Sequence, residues 1–219
     1  NLISAIAEQG VDMYAFYDCK TVEKTDNGYK LIYTNGEELY ADKTIIATGR
    51  GGANFVADFC RAFGVHMHSN HVDIGVRVEM KDIIWKEFSD RIYEPKILYK
   101  TKTFEDRCRM FCFNKGGLVS AENNHGIITA NGHSYAEDEK RTDNCNFAIL
   151  SSIRFTEPFD KPTEYAESIS RLANMIGNNS VLVQRFGDLV RGRRTNEHRL
   201  AQNTVEPTLK ATAGDISLV

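Results

Sequence analysis

A glycine-rich turn, a histidine cluster, a polar turn carrying His and Tyr, and a stretch dense in arginine are the parts of this 219-residue chain whose side chains could do chemistry. In ADKTIIATGRGGANF a short apolar strand is predicted to run into Ala47-Thr48-Gly49-Arg50-Gly51. A backbone that passes close to a bulky nucleotide needs residues without side chains where the strand ends, and Gly49, Gly51 and Gly52 supply them. The alternative is a buried strand that simply ends in a glycine turn. Arg50 could present forked donors to a phosphate or a carboxylate, or could be a surface arginine. Asn131-Gly132-His133-Ser134-Tyr135 reads as a turn beside His133 and Tyr135, side chains able to hold or move a proton. These two and Arg77 are the candidate catalytic residues, against the alternative of a polar hairpin tip.

Of His66, His68 and His71, in HMHSNH, the alternate pair His66 and His68 would share a face on a strand, but no carboxylate or cysteine stands at zinc-site spacing. They are expected to form a polar link between domains, with no metal. Cys108 and Cys112, four apart in a predicted strand, would share a face; redox pairs use C-x-x-C at a helix start, so packing is the expected role. Arg185, Arg191, Arg193, Arg194 and Arg199, with Gly187 and Gly192 among them, could hold an anion or form a salt-bridged face.

The elements that must position these groups are legible in outline. LISAIAEQG is a predicted helix ending at Gly10, and VDMYAFYDCKTVEKTDNGYKLIYTNGEELY reads as strand, turn, strand, turn. ANFVADFCRAFGV repeats apolar residues at helical spacing, with Gly64 at its end. From VDIGVRVEM onward, strands rich in aromatic and β-branched residues alternate with turn signals at Glu94-Pro95, Asn114 to Gly117 and Asn131-Gly132, a pattern suited to a mostly antiparallel sheet. PTEYAESISRLANMIG has an apolar stripe of Tyr165, Ile169, Leu172 and Ile176 behind Pro162. VEPTLKATAGDISLV reads as extended surface chain with a strand-like ISLV end. The fold class expected is α/β (α+β), with domains at 1–72 and 73–219.

With 42% hydrophobic and 26% charged residues the chain falls in the ordinary globular range. A net charge of −3 gives no general electrostatic reason to bind nucleic acid or an anionic membrane. Five scattered cysteines argue against a disulfide framework and for a reducing cytoplasm. No apolar run approaches the roughly 20 residues that span a bilayer.

Taken together, ADKTIIATGR, VDIGVRVEM, IYEPKILYKTKTF, GIITANGHSYA, NFAILSSIRFTEPF, LVQRFGDLVRGRR and PTLKATAGDISLV resemble a family of large bacterial FAD-dependent dehydrogenases, among the two-dinucleotide-binding flavoprotein oxidoreductases. The resemblance covers nearly the whole chain. It implies the C-terminal part of a Rossmann-like FAD-binding domain, comprising helix, β-meander and strand, joined to an inserted, mostly antiparallel β domain with helices. The G-x-G-x-x-G turn that opens such domains is not present, so the chain is expected to be an interior piece of a longer protein. By position the resemblance implies FAD contacts at Cys19, Ala47, Thr48, Gly49, Arg50 and Gly51. It further implies a small-molecule substrate, with a nicotinamide cofactor or other electron partner. The competing expectation is a non-catalytic module binding an anion or RNA through Arg185–Arg199; a dimerisation surface is a third.

Overall fold

The computed structural model describes residues 2–219, which form two compact units, the first ending at Met67 and the second running from His68 to Val219. The architecture is mixed α/β, with several antiparallel sheets and few helices.

In the first unit, helix α1 (Leu2–Glu8) precedes a meander of β1 (Cys19–Thr25), β2 (Gly28–Tyr33) and β3 (Glu38–Ala41), all antiparallel neighbours in sequence order. Thr25 pairs with Gly28 across the Asp26-Asn27 turn, and Val22 is the residue the meander buries most deeply. Helix α2 (Ala53–Ala62) packs its aromatic face inward: Phe59 stacks on Phe63 at 4.3 Å, and Phe63 lies 6.3 Å from Tyr29 of β2. One predicted strand starts late and another is not formed. Residues 11–18 run irregularly into β1, and residues 44–48 lie in no sheet, with Ile45 92% exposed. Backbone is a strand only when a neighbour lies about 4.8 Å away to share its ladder, and β3 pairs with β2 alone.

The second unit is built on a four-stranded antiparallel sheet, in the order β4 (Val72–Lys81), β9 (Asn144–Ile153), β6 (Arg107–Asn114), β5 (Ile97–Lys100). The β4/β9 register runs from Val72↔Ile153 to Lys81↔Asn144, and side-chain alternation divides the sheet into two unlike faces. One face carries Met110, Phe113, Cys145 and Phe147, packed with Val78, Met80 and Trp85. Trp85, just ahead of the short helix α3 (Lys86–Ser89), meets Phe113 and Phe147 at 5.7 and 5.5 Å and closes this core. The opposite face presents Asp73, Arg77 and Glu79 from β4, and Asn144 and Asn146 from β9.

Hairpin β7 (Leu118–Asn124) to β8 (Ile127–His133) turns at His125-Gly126, not at Asn131-Gly132 as predicted. Both turn residues take positive φ, 50° and 83°, which suits the twist of a two-residue hairpin, and Asn123 accepts from the Gly126 amide at 2.9 Å. Helix α4 (Pro162–Ile176) forms where its stripe predicts. It is tied to β8 by Asn174, which accepts from the Ile128 amide and donates to the Ile128 carbonyl, both at 2.7 Å. Short strands β10 (Leu182–Val183) and β11 (Thr212–Ala213) pair in parallel, with helices α5 (Phe186–Val190) and α6 (Glu197–Ala201) between them. Because Ala213 is buried in this pairing, the segment expected at the surface is partly internal. The strand-like ISLV is instead a 3-10 turn over Ile216–Leu218. No helix among the described residues is long and apolar enough to cross a membrane.

Candidate functional site

Two of the predicted groups assemble into defined local structures, one in each unit. In the first, Ala47, Thr48, Gly49, Arg50 and Gly51 lie together in one exposed turn that leads through Gly52 into α2. Gly49 has φ 64° and ψ −162°, a combination essentially restricted to glycine. No atom lies within 4 Å of where its side chain would project. Three residues on, a Cβ at Gly52 would collide with the Thr48 side chain, so Thr48 is seated against that glycine. The Gly52 amide donates to the Gly49 carbonyl at 3.3 Å, which closes the turn. A bare backbone, open space beside it and the positive end of a ten-residue helix fit a nucleotide's phosphates. Cys19 stands apart from this turn in the chain, at the bulged start of β1, where it pairs with Tyr33 and its thiol donates to the Thr21 carbonyl at 3.5 Å. Burial pushes that thiol up from its ordinary value.

In the second unit, the polar sheet face gathers around Arg77. Its Nη1 donates to Asn146 Oδ1 at 2.7 Å and to the Cys112 carbonyl at 3.3 Å. Its Nη2 donates to Cys112 Sγ at 3.3 Å and to Asn131 Oδ1 at 3.5 Å. Asn114 Nδ2 reaches the same acceptors, the Cys112 carbonyl at 2.9 Å and Asn146 Oδ1 at 3.2 Å. This convergence depends on a bulge: the β6/β9 register shifts between Phe111 and Asn114, and Cys112 takes φ 56°, which turns its carbonyl toward Arg77. Cys112 is thereby removed from the regular alternation that would have put it on the face of Cys108. Gly132 of β8 lies directly over the cluster; a Cβ there would strike Arg77 Nη1, Asn146 Oδ1 and Asn114 Nδ2.

His133 and Tyr135 are exposed and contact each other, their rings edge to face at 4.8 Å, with Lys140 Nζ 5.4 Å above the Tyr135 ring. Neither takes part in the hydrogen bonds of Arg77 described above. Of the three catalytic candidates, then, the structure sets His133 and Tyr135 side by side and Arg77 in a separate network. Asn114 was read from sequence only as part of a turn signal and Asn146 not at all; the available signal for this face was polar or small residues at every second position of β4, from Asp73 to Lys81.

The arginine run organises itself around Asp188, 1% exposed. Arg193 Nε donates to its carboxylate at 2.6 Å, Arg199 Nε at 3.2 Å and Thr195 at 2.8 Å. Burial alone would raise this carboxyl; the Thr195, Arg193 and Arg199 hydrogen bonds and the Arg193 charge outweigh it and hold it at about 2. Arg191 donates to the Gly187 carbonyl and Arg185 to Asn203. Among the described residues, no three His, Cys, Asp or Glu side chains gather as a metal site. No family model matches the chain, and comparison with curated proteins returns no relative.

Proposed function

We propose that this chain is part of an FAD-dependent oxidoreductase acting on a small organic substrate, with the 47–51 turn as its approach to the cofactor. The Thr48–Gly52 turn carries the reading: an exposed turn of three glycines with Thr48 and Arg50 at a helix start, directly after a β-meander. The isolation of the apolar segment 44–48 agrees with it, since a parallel sheet would supply the missing ladder.

Each residue has a role in this reading. Gly49 lets the backbone come close, the amides at the start of α2 favour phosphate charge, the Thr48 hydroxyl can donate, and Arg50 offers a forked cation. Bound there, FAD would take up or release a hydride equivalent. His133 through a ring nitrogen, or Tyr135 through its hydroxyl, would hold or deliver the substrate proton, and Arg77 would orient polar groups. A nicotinamide cofactor or another carrier would complete the electron balance, and a cytoplasmic setting would keep the thiols reduced.

The alternative of an anion- or RNA-binding module has less support, because Arg193 and Arg199 are paired with Asp188. The test is Ala47→Trp, which fills the approach without straining the glycines. The intact protein should lose bound flavin and keep its circular dichroism; flavin retained at the wild-type ratio would overturn the reading.

A further inference from the structure

Two sheet edges of this chain are open, and they complement each other. Among the described residues β3 ladders with β2 alone and β5 with β6 alone, so each leaves a row of backbone amides and carbonyls facing outward. Antiparallel pairing alternates residues that bond to the neighbouring strand with residues that face away from it. The Tyr33 amide donates to the Glu37 carbonyl at 3.0 Å, one step beyond the Ile32↔Glu38 pair, so Leu39 and Ala41 bond to β2 while Glu38 and Tyr40 turn their backbone groups outward. The Thr101 amide donates to the Asp106 carbonyl at 2.9 Å, one step beyond Lys100↔Arg107, so Ile97 and Tyr99 bond to β6 while Leu98 and Lys100 face outward.

We propose that a second copy of this chain docks on these edges, β5 of one copy pairing antiparallel with β3 of the other, Leu98 opposite Tyr40. In that register outward backbone groups meet outward backbone groups, and each flanking charge meets its opposite. Lys100 faces Glu38 and Lys96 faces Asp42, with Ile97 against Ala41 and Tyr99 against Leu39. Main-chain hydrogen bonds supply the affinity of such strand addition, and the side chains select the register. The side chains are accessible: Glu38, Asp42, Lys96 and Lys100 are exposed, as are Tyr40 at 64% and Leu98 at 60%. The ion pairs that Glu38, Lys96 and Lys100 make with Lys30, Glu94 and Glu105 lie at the surface and oppose the exchange weakly. Like edges repel instead. With Leu98 opposite Leu98, β5 against β5 sets Lys96 against Lys100, and with Tyr40 opposite Tyr40, β3 against β3 sets Glu38 against Asp42. Each edge lies wholly within one unit and contains no residue of the 47–51 turn, so the contact is independent of the flavin reading.

Sedimentation velocity of the full chain, at concentrations up to about 100 µM, registers weak contacts of small area. The wild-type chain should self-associate. Leu98→Pro, which removes an outward N–H and spares the ladder to β6, should abolish the association. Lys96→Glu with Lys100→Glu should weaken it about tenfold, as turning two cross-strand attractions into repulsions predicts, and so should Glu38→Lys with Asp42→Lys. All four charge changes in one chain should restore it. A wild-type chain that stays monomeric overturns the proposal whatever the variants do, and leaves the two edges to strands of another protein. Association that survives Leu98→Pro in a folded chain also overturns it, as does weakening by both charge pairs that the combined variant fails to relieve.

Discussion

Asn174→Ala tests how the second unit holds hairpin β7–β8 in place. The Asn174 amide makes two hydrogen bonds to one residue, to the amide and the carbonyl of Ile128, and Asn174 is itself buried. Two neutral hydrogen bonds at about 1–1.5 kcal/mol each come to about 2–3 kcal/mol. Alanine's better helix propensity returns about 0.5 kcal/mol, which leaves a loss of roughly 2 kcal/mol. For a protein of this length that is about 4–8 °C in melting temperature. Urea unfolding followed by far-UV circular dichroism measures it, with unchanged slope and lowered midpoint as the expected signature. Asn174→Asp separates the two bonds: the carboxylate can still accept from the Ile128 amide but is set against the Ile128 carbonyl, so it should be no better than alanine. A loss below about 0.5 kcal/mol for Asn174→Ala would show that this clamp is not what docks α4 on β8, and would refute the argument.

Two further outcomes follow from the same structure. Gly132→Ala should destabilise by about 1–3 kcal/mol in the same assay, because its methyl would strike Arg77, Asn114 and Asn146; Ala121→Gly on the partner strand, where the side chain is exposed, is the contrast. Asp188 has a folded pKa of about 2, below its unfolded value near 3.9, so its contribution is complete above about pH 4 and fades as pH falls toward 2. Asp188→Asn should flatten the stability profile in that window, which acid titration of the urea midpoint reads.

How far the sequence could be read depended on whether a signal was local. Helix α4 was legible because Tyr165, Ile169, Leu172 and Ile176 recur on one face behind a proline, and the structure places it over Pro162–Ile176. The antiparallel strands were legible from β-branched and aromatic runs. The hairpin turn was not: Asn-Gly is the stronger turn signal, yet Asn131-Gly132 is used inside β8, where glycine gives Arg77 room, and His125-Gly126 makes the turn. The bulge at Cys112 escaped for a related reason, since its cause lies in residues 35 and 18 positions away, Arg77 and Glu94. The arginine run, which the sequence left open between an anion patch and a salt-bridged face, has two of its members, Arg193 and Arg199, paired with one buried aspartate, a contact set by tertiary structure. Of the site residues, Ala47 to Gly51 are contiguous, and the sequence placed them in one turn; Asn114 and Asn146 meet only through strand register.

The central claim is that the turn after the meander approaches a flavin. Its most direct test is the visible absorption spectrum of the intact protein as purified, recorded again for Ala47→Trp. The account predicts the yellow two-band flavin spectrum in the first and its loss, with fold kept, in the second. A colourless wild-type protein that also fails to bind added FAD would contradict it.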